Sequence, residues 1–124
     1  MKIGEHKILD LAREHGTPLY VYDLQSVREQ AMKLREAIKW PQKKLLYAVN
    51  INFNPQLVLE TKAQGYGIDA VSLEEVLYAL KLGFGAEDIL YTGNNITDEE
   101  MRRAHQLGVM LNVGALSRLE KFGK

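Results

Sequence analysis

The chain has 124 residues, 46% hydrophobic and 26% charged, with sixteen basic and sixteen acidic side chains. That length fits a single domain spanning residues 1–124, and the composition is that of a folded globular protein. The charge balance gives no electrostatic basis for nucleic acid or an anionic membrane as partner. The lack of cysteine excludes disulfides and thiolate metal sites.

The first residues, Met1-Lys2-Ile3-Gly4-Glu5-His6-Lys7, lack the apolar centre of a secretory signal. No apolar run reaches the roughly 20 residues that span a bilayer. A cytoplasmic location is therefore the expectation. The segment Gly16-Thr17-Pro18-Leu19-Tyr20-Val21-Tyr22-Asp23 predicts a strand at Tyr20–Tyr22, and a helix follows from about Leu24 to Ala37. Trp40, before Pro41, reads as a packing residue at the end of that helix. His6, His15 and His105 fall on predicted helices at spacings that make no metal pair, so no metal site is assigned.

Four short apolar runs then begin near Leu45, Ile68, Ile89 and Met110, which are 23, 21 and 21 residues apart. Helical stretches with clear boundaries lie between them. Asn54-Pro55 places a capping side chain before a proline at the first helical position. Ser72-Leu73-Glu74-Glu75 and Thr97-Asp98-Glu99-Glu100 read as capping boxes. Gly65, Gly83 and Gly108 stand where helices end in a left-handed residue. Val76, Leu77, Ala79 and Leu80 form one apolar stripe. Strand, helix and strand in such quick alternation predict parallel strands with helical crossovers, in an open doubly wound sheet or part of a (β/α)8 barrel. Val49-Asn50-Ile51-Asn52 has no glycine and so lacks the turn of a dinucleotide-binding fold.

Five segments in order add a family resemblance. Gly16–Asp23 is the first, followed by Tyr47-Ala48-Val49-Asn50-Ile51-Asn52-Phe53-Asn54 and Gly67-Ile68-Asp69-Ala70-Val71-Ser72 with Glu75. Tyr91-Thr92-Gly93-Asn94 comes next, then Asn112-Val113 with Leu116-Ser117-Arg118-Leu119-Glu120. Together they resemble the diaminopimelate decarboxylase family, whose enzymes use pyridoxal phosphate and carry an alanine-racemase-like barrel. The resemblance implies an α/β fold of parallel β/α repeats forming about half of a (β/α)8 barrel, with the family's C-terminal β domain absent.

In that family the second segment reads Tyr-Ala-x-Lys-Ala-Asn, and its lysine holds the cofactor as an imine. Asn50 stands at that position. A carboxamide nitrogen is delocalised into its carbonyl and cannot attack an aldehyde as an amine does. The resemblance thus implies a vestigial cofactor pocket of Ala48, Asn50, Asp69, Ser72 and Glu75, with no intact catalytic residue and no stably bound pyridoxal phosphate. Ala48 would leave room for a flat ring and, by strand alternation, share a face with position 50. Asp69 would lie beside the imine, on a strand with few ways to reach water. Ser72 and Glu75 also have plain readings as helix caps. Thr92-Gly93-Asn94 ends a strand where barrel active sites gather. Lys44 is six residues upstream of Asn50, roughly 20 Å along an extended strand and at the wrong end.

The family's ring-stacking histidine and glycine-rich phosphate loop would lie beyond Lys124. Half a barrel exposes two sheet edges and one layer of inward side chains, so a homo-oligomer is expected. Other readings are a non-catalytic α/β interaction or regulatory module, and a fragment of another basic amino-acid decarboxylase.

Overall fold

The computed structural model describes residues 1–123, so Lys124 lies outside the described residues. The short antiparallel strands β1 (Lys2–Ile3) and β2 (His6–Lys7) lead into helix α1 (Ile8–His15). His6 therefore sits on a strand, not on the predicted helix. Residues 16–23 run as irregular chain, with Tyr20 86% exposed. The predicted Tyr20–Tyr22 strand does not form, because an isolated extended segment has no neighbour to take its backbone hydrogen bonds.

Helix α2 spans Leu24–Ala37, as predicted. Asp23 caps it, its carboxylate accepting the N–H groups of Gln25 and Ser26 at 3.0 and 3.4 Å. The helix stops short of Trp40, which is 70% exposed on the following irregular stretch instead of packed.

A four-stranded parallel sheet follows, in the order β3 (Leu46–Ala48), β4 (Gly67–Ala70), β5 (Ile89–Tyr91), β6 (Met110–Leu111). Helices α3 (Pro55–Ala63), α4 (Leu73–Lys81) and α5 (Asp98–Gln106) link successive strands, and α6 (Leu116–Phe122) follows β6. Asn54 caps α3 ahead of Pro55. Gly65, Gly83 and Gly108 close the three linking helices at φ of 78°, 81° and 75°. These are the left-handed values that their positions called for.

Alternation along the strands separates the two faces. Ile68 and Ala70 of β4 and Ile89 and Tyr91 of β5 are buried against Val58, Val76, Ala79, Met101 and Ala104 of the helices. Trimming Ile68 or Ile89 to alanine would cost about 2–5 kcal/mol. On the opposite face Ala48, Asp69, Leu90 and Met110 lie in one register row; the first three are half-buried and Met110 is exposed. Helices on one face only distinguish a piece of a barrel from a doubly wound sheet, whose two faces are both covered. The partial barrel is thus the observed fold. Within α4 the apolar stripe is narrower than predicted, since Val76 and Ala79 are fully buried while Leu77 is 41% exposed.

Candidate functional site

Strand β3 ends at Ala48, and the chain turns at once into a 3-10 turn over Val49–Ile51. Val49 is fully buried and Asn50 is exposed. The expectation that Ala48 and Asn50 share a strand face is corrected here. Side chains alternate only while the backbone stays extended, and the turn resets their directions.

The loop carrying Asn50 is fixed by its own short-range bonds and by two tyrosines. The Tyr47 hydroxyl donates to the Asn52 carbonyl at 2.9 Å, and the Tyr78 hydroxyl, from α4, donates to the Phe53 carbonyl at 2.6 Å. Asn52 Oδ1 accepts the Asn54 N–H at 3.0 Å, and Asn54 Oδ1 accepts the Gln56 N–H at 3.0 Å to start α3. Burial pushes both phenol pKa values up, which keeps the hydroxyls protonated as donors. Sequence reasoning missed this role for both tyrosines. Their acceptors are backbone carbonyls, which no side-chain pattern marks.

Ala48 and Asp69 are register partners on neighbouring strands. Asp69 lies half-buried on the uncovered face, and its carboxylate accepts a hydrogen bond from the Thr92 hydroxyl. The expectation that Asp69 has few ways to reach water is corrected, because no helix among the described residues covers this face.

Ser72 and Glu75 serve the start of α4. Ser72 Oγ accepts the Glu75 N–H at 3.2 Å, while Glu75 Oε2 accepts the Val71 N–H at 2.8 Å. The reciprocal bond thus goes one residue upstream of the cap, so this is a variant of the predicted capping box. Thr97 and Glu100 make the complete box at the start of α5. The structure therefore groups Ala48, Asp69 and Thr92 on one face, and commits Ser72 and Glu75 to backbone N–H groups.

The four loops at the carboxyl ends of the strands, residues 49–54, 71–72, 92–97 and 112–115, contain all six asparagines of the chain. They contain no lysine, arginine, aspartate or glutamate. Carboxamides donate and accept hydrogen bonds there, but none is a nucleophilic amine. Lys44 is engaged at the other end of the sheet, where Nζ lies 2.9 Å from Asp88 Oδ1 just before β5. The rim can orient polar groups, and its loops supply no group to form an imine.

The family model described as the pyridoxal binding domain of pyridoxal-dependent decarboxylases matches residues 24–124. Diaminopimelate decarboxylase of Methanothermobacter thermautotrophicus is 40% identical over 124 residues, covering 98% of this chain and 29% of the relative. The Bacillus subtilis diaminopimelate decarboxylase is 34% identical over 115 residues, covering 90% of this chain and 26% of the relative. The chain therefore spans less than a third of the length of these relatives.

Among solved structures, diaminopimelate decarboxylase from Helicobacter pylori, complexed with L-lysine, superposes with a TM-score of 0.83 at 27% identity, over 94% of this chain and 30% of that one. Lysine/ornithine decarboxylase from Vibrio vulnificus, complexed with putrescine, gives a TM-score of 0.82 at 28% identity, over 93% and 31%.

Proposed function

This chain belongs to the pyridoxal-dependent decarboxylase family, through its pyridoxal binding domain, and from that membership we propose that it is the first part of the barrel of a diaminopimelate-decarboxylase-like protein, inactive as it stands. The parent reaction removes carbon dioxide from meso-diaminopimelate to give lysine, in the cytoplasm, with the pyridoxal ring as electron sink when bound. Relatives at 40% and 34% identity carry that name and favour this substrate over others. A fragment of another basic amino-acid decarboxylase is the neighbouring reading, since the Vibrio vulnificus enzyme has an almost equal fold likeness.

The observation that carries the inactivity is the carboxamide of Asn50 on the loop after β3. The residues present do not fit a covalently held pyridoxal phosphate: the strand-end loops have no amine for the aldehyde. Ala48 and Asp69 are what remains of the pocket. Ser72 and Glu75 are proposed as vestigial members only, since both side chains already cap α4.

A non-catalytic α/β interaction module is the second reading. The uncovered sheet face and the edge strands β3 and β6 favour it, because both offer a partner unfilled backbone or apolar surface. Self-association through these edges is part of the proposal under either reading.

The test is to mix the chain with pyridoxal phosphate, reduce with borohydride and map adducts by mass spectrometry. Sparse labelling scattered over surface lysines is the expected result. One site modified near full occupancy would overturn the inactive reading.

A further inference from the structure

A cleft of about 180 Å3 lies between the loops that follow β5 and β6, lined by Asn94, Asn95, Asn112, Gly114 and Arg118 among others, with no acidic residue in its wall. Its shape is set by the first of these loops. A Cβ on Gly93 would stand 2.6 Å from the Ile96 side chain and 2.8 Å from the Val71 carbonyl oxygen, so only glycine lets the chain turn this tightly. Asn95 follows in the left-handed region, at φ 56°.

Arg118, half-buried on α6, has no carboxylate within ion-pair distance among the described residues. Arg102 of α5 and Lys121 of α6, by contrast, are paired, with Glu99 and Asp98. Asp98 is the acid whose charge interacts with Arg118, and its carboxylate is bonded to Lys121. The cleft therefore joins a guanidinium without an ion-pair partner among the described residues to several carboxamides, at the end of a parallel sheet where ligands gather.

We propose that this cleft binds a small oxyanion, the carboxylate or phosphate group of a metabolite, with Arg118 as its charged anchor. The planar guanidinium matches two oxygens of such a group at once, and carboxamide N–H groups of Asn94 and Asn112 complete the donor set. The site is on the β5–β6 side of the rim and depends on no chemistry at Asn50.

The test is a titration of the 15N-labelled chain with inorganic phosphate and, separately, acetate, with sodium chloride holding ionic strength constant. Saturable shifts at Gly93, Asn94, Asn95 and Gly114 are expected with at least one anion, and the stronger arm identifies the group bound. Arg118→Gln should weaken binding about tenfold or more, as loss of a charge-assisted hydrogen bond does, and Arg118→Lys less. Asn112→Ala keeps the charge and removes one donor; a loss of about two- to tenfold is expected there, even if Arg118→Gln does not fold. Shifts that never saturate, that centre on surface lysines, or that persist unchanged in the folded variants would overturn the proposal.

Discussion

Thr92, the first residue past β5, donates its hydroxyl to the Asp69 carboxylate of β4, joining two strands on the face that no helix covers. Thr92→Val keeps the shape of the side chain and removes the donor. Hydrogen bonds to charged groups contribute about 1.5–3 kcal/mol net. Water reaches this face and can replace the hydroxyl, so the expected loss is near the lower end of that range, about 1.5 kcal/mol. The urea midpoint at neutral pH measures it. A loss well above about 3 kcal/mol would mean that Asp69 sits in a closed, dry site.

Acid should weaken the fold through identifiable carboxylates. Glu60 is held below its ordinary pKa mainly by the side-chain hydrogen bond from Arg28, and Asp98 mainly by the one from Lys121. Glu100 is lowered first by the Thr97 backbone N–H and then by its hydroxyl. A carboxylate with a depressed folded pKa contributes stability that is complete above its unfolded value and is lost as pH falls through the folded one. Urea midpoints should therefore hold from pH 7 to about 5 and fall below about 4.5. Arg28→Ala should lower the midpoint at pH 7 and converge on the parent curve at low pH, because Glu60 then titrates near its unfolded value. Parallel curves at every pH would rule out this pair as a source of the acid sensitivity.

Local signals were the most legible part of the sequence. Asp23 and Asn54 cap the helices that begin after them, and the four parallel strands start within one residue of the apolar runs. Caps and alternation act over a few residues, so sequence reports them directly. Tyr20–Tyr22 failed because a strand needs a partner, and apolar alternation does not say whether one is near. Asn50 was read as sharing a strand face with Ala48 and lies instead on the loop after β3, since the 3-10 turn at Val49 breaks the strand period one residue earlier. The Tyr78–Phe53 bond joins residues 25 apart in sequence through a backbone carbonyl and left no trace in the pattern.

Self-association should be measurable. The uncovered face exposes Met110 at 39% and leaves Leu90 half-buried, while β3 and β6 end the sheet without a further strand. Two copies related by a twofold axis bury the same patch on both partners and leave no open series of contacts. Sedimentation velocity across a hundredfold range of concentration should give a monomer–dimer equilibrium. A well-folded species that stays monomeric at the highest concentration would count against pairing through these surfaces.

Restoring the amine alone should not restore an enzyme. The loop that carries Asn50 is held by Tyr47, Tyr78, Asn52 and Asn54, and none of those bonds involves the side chain of residue 50. Asn50→Lys should therefore leave the loop in place and supply a nucleophile on an exposed turn. Decarboxylation also requires the ring fixed relative to the bond being broken, and the loop that carries Asn50, residues 49–54, has no charged side chain to help hold it. The rest of a diaminopimelate decarboxylase, added in trans, would cover β3, β6 and the open face, and bring the groups missing here. Lysine formation is then assayed with and without Asn50→Lys, each with and without the added segment. Turnover is expected only when both are present. Lysine released by the Asn50→Lys chain unaided would mean that the missing groups reside within these 124 residues after all.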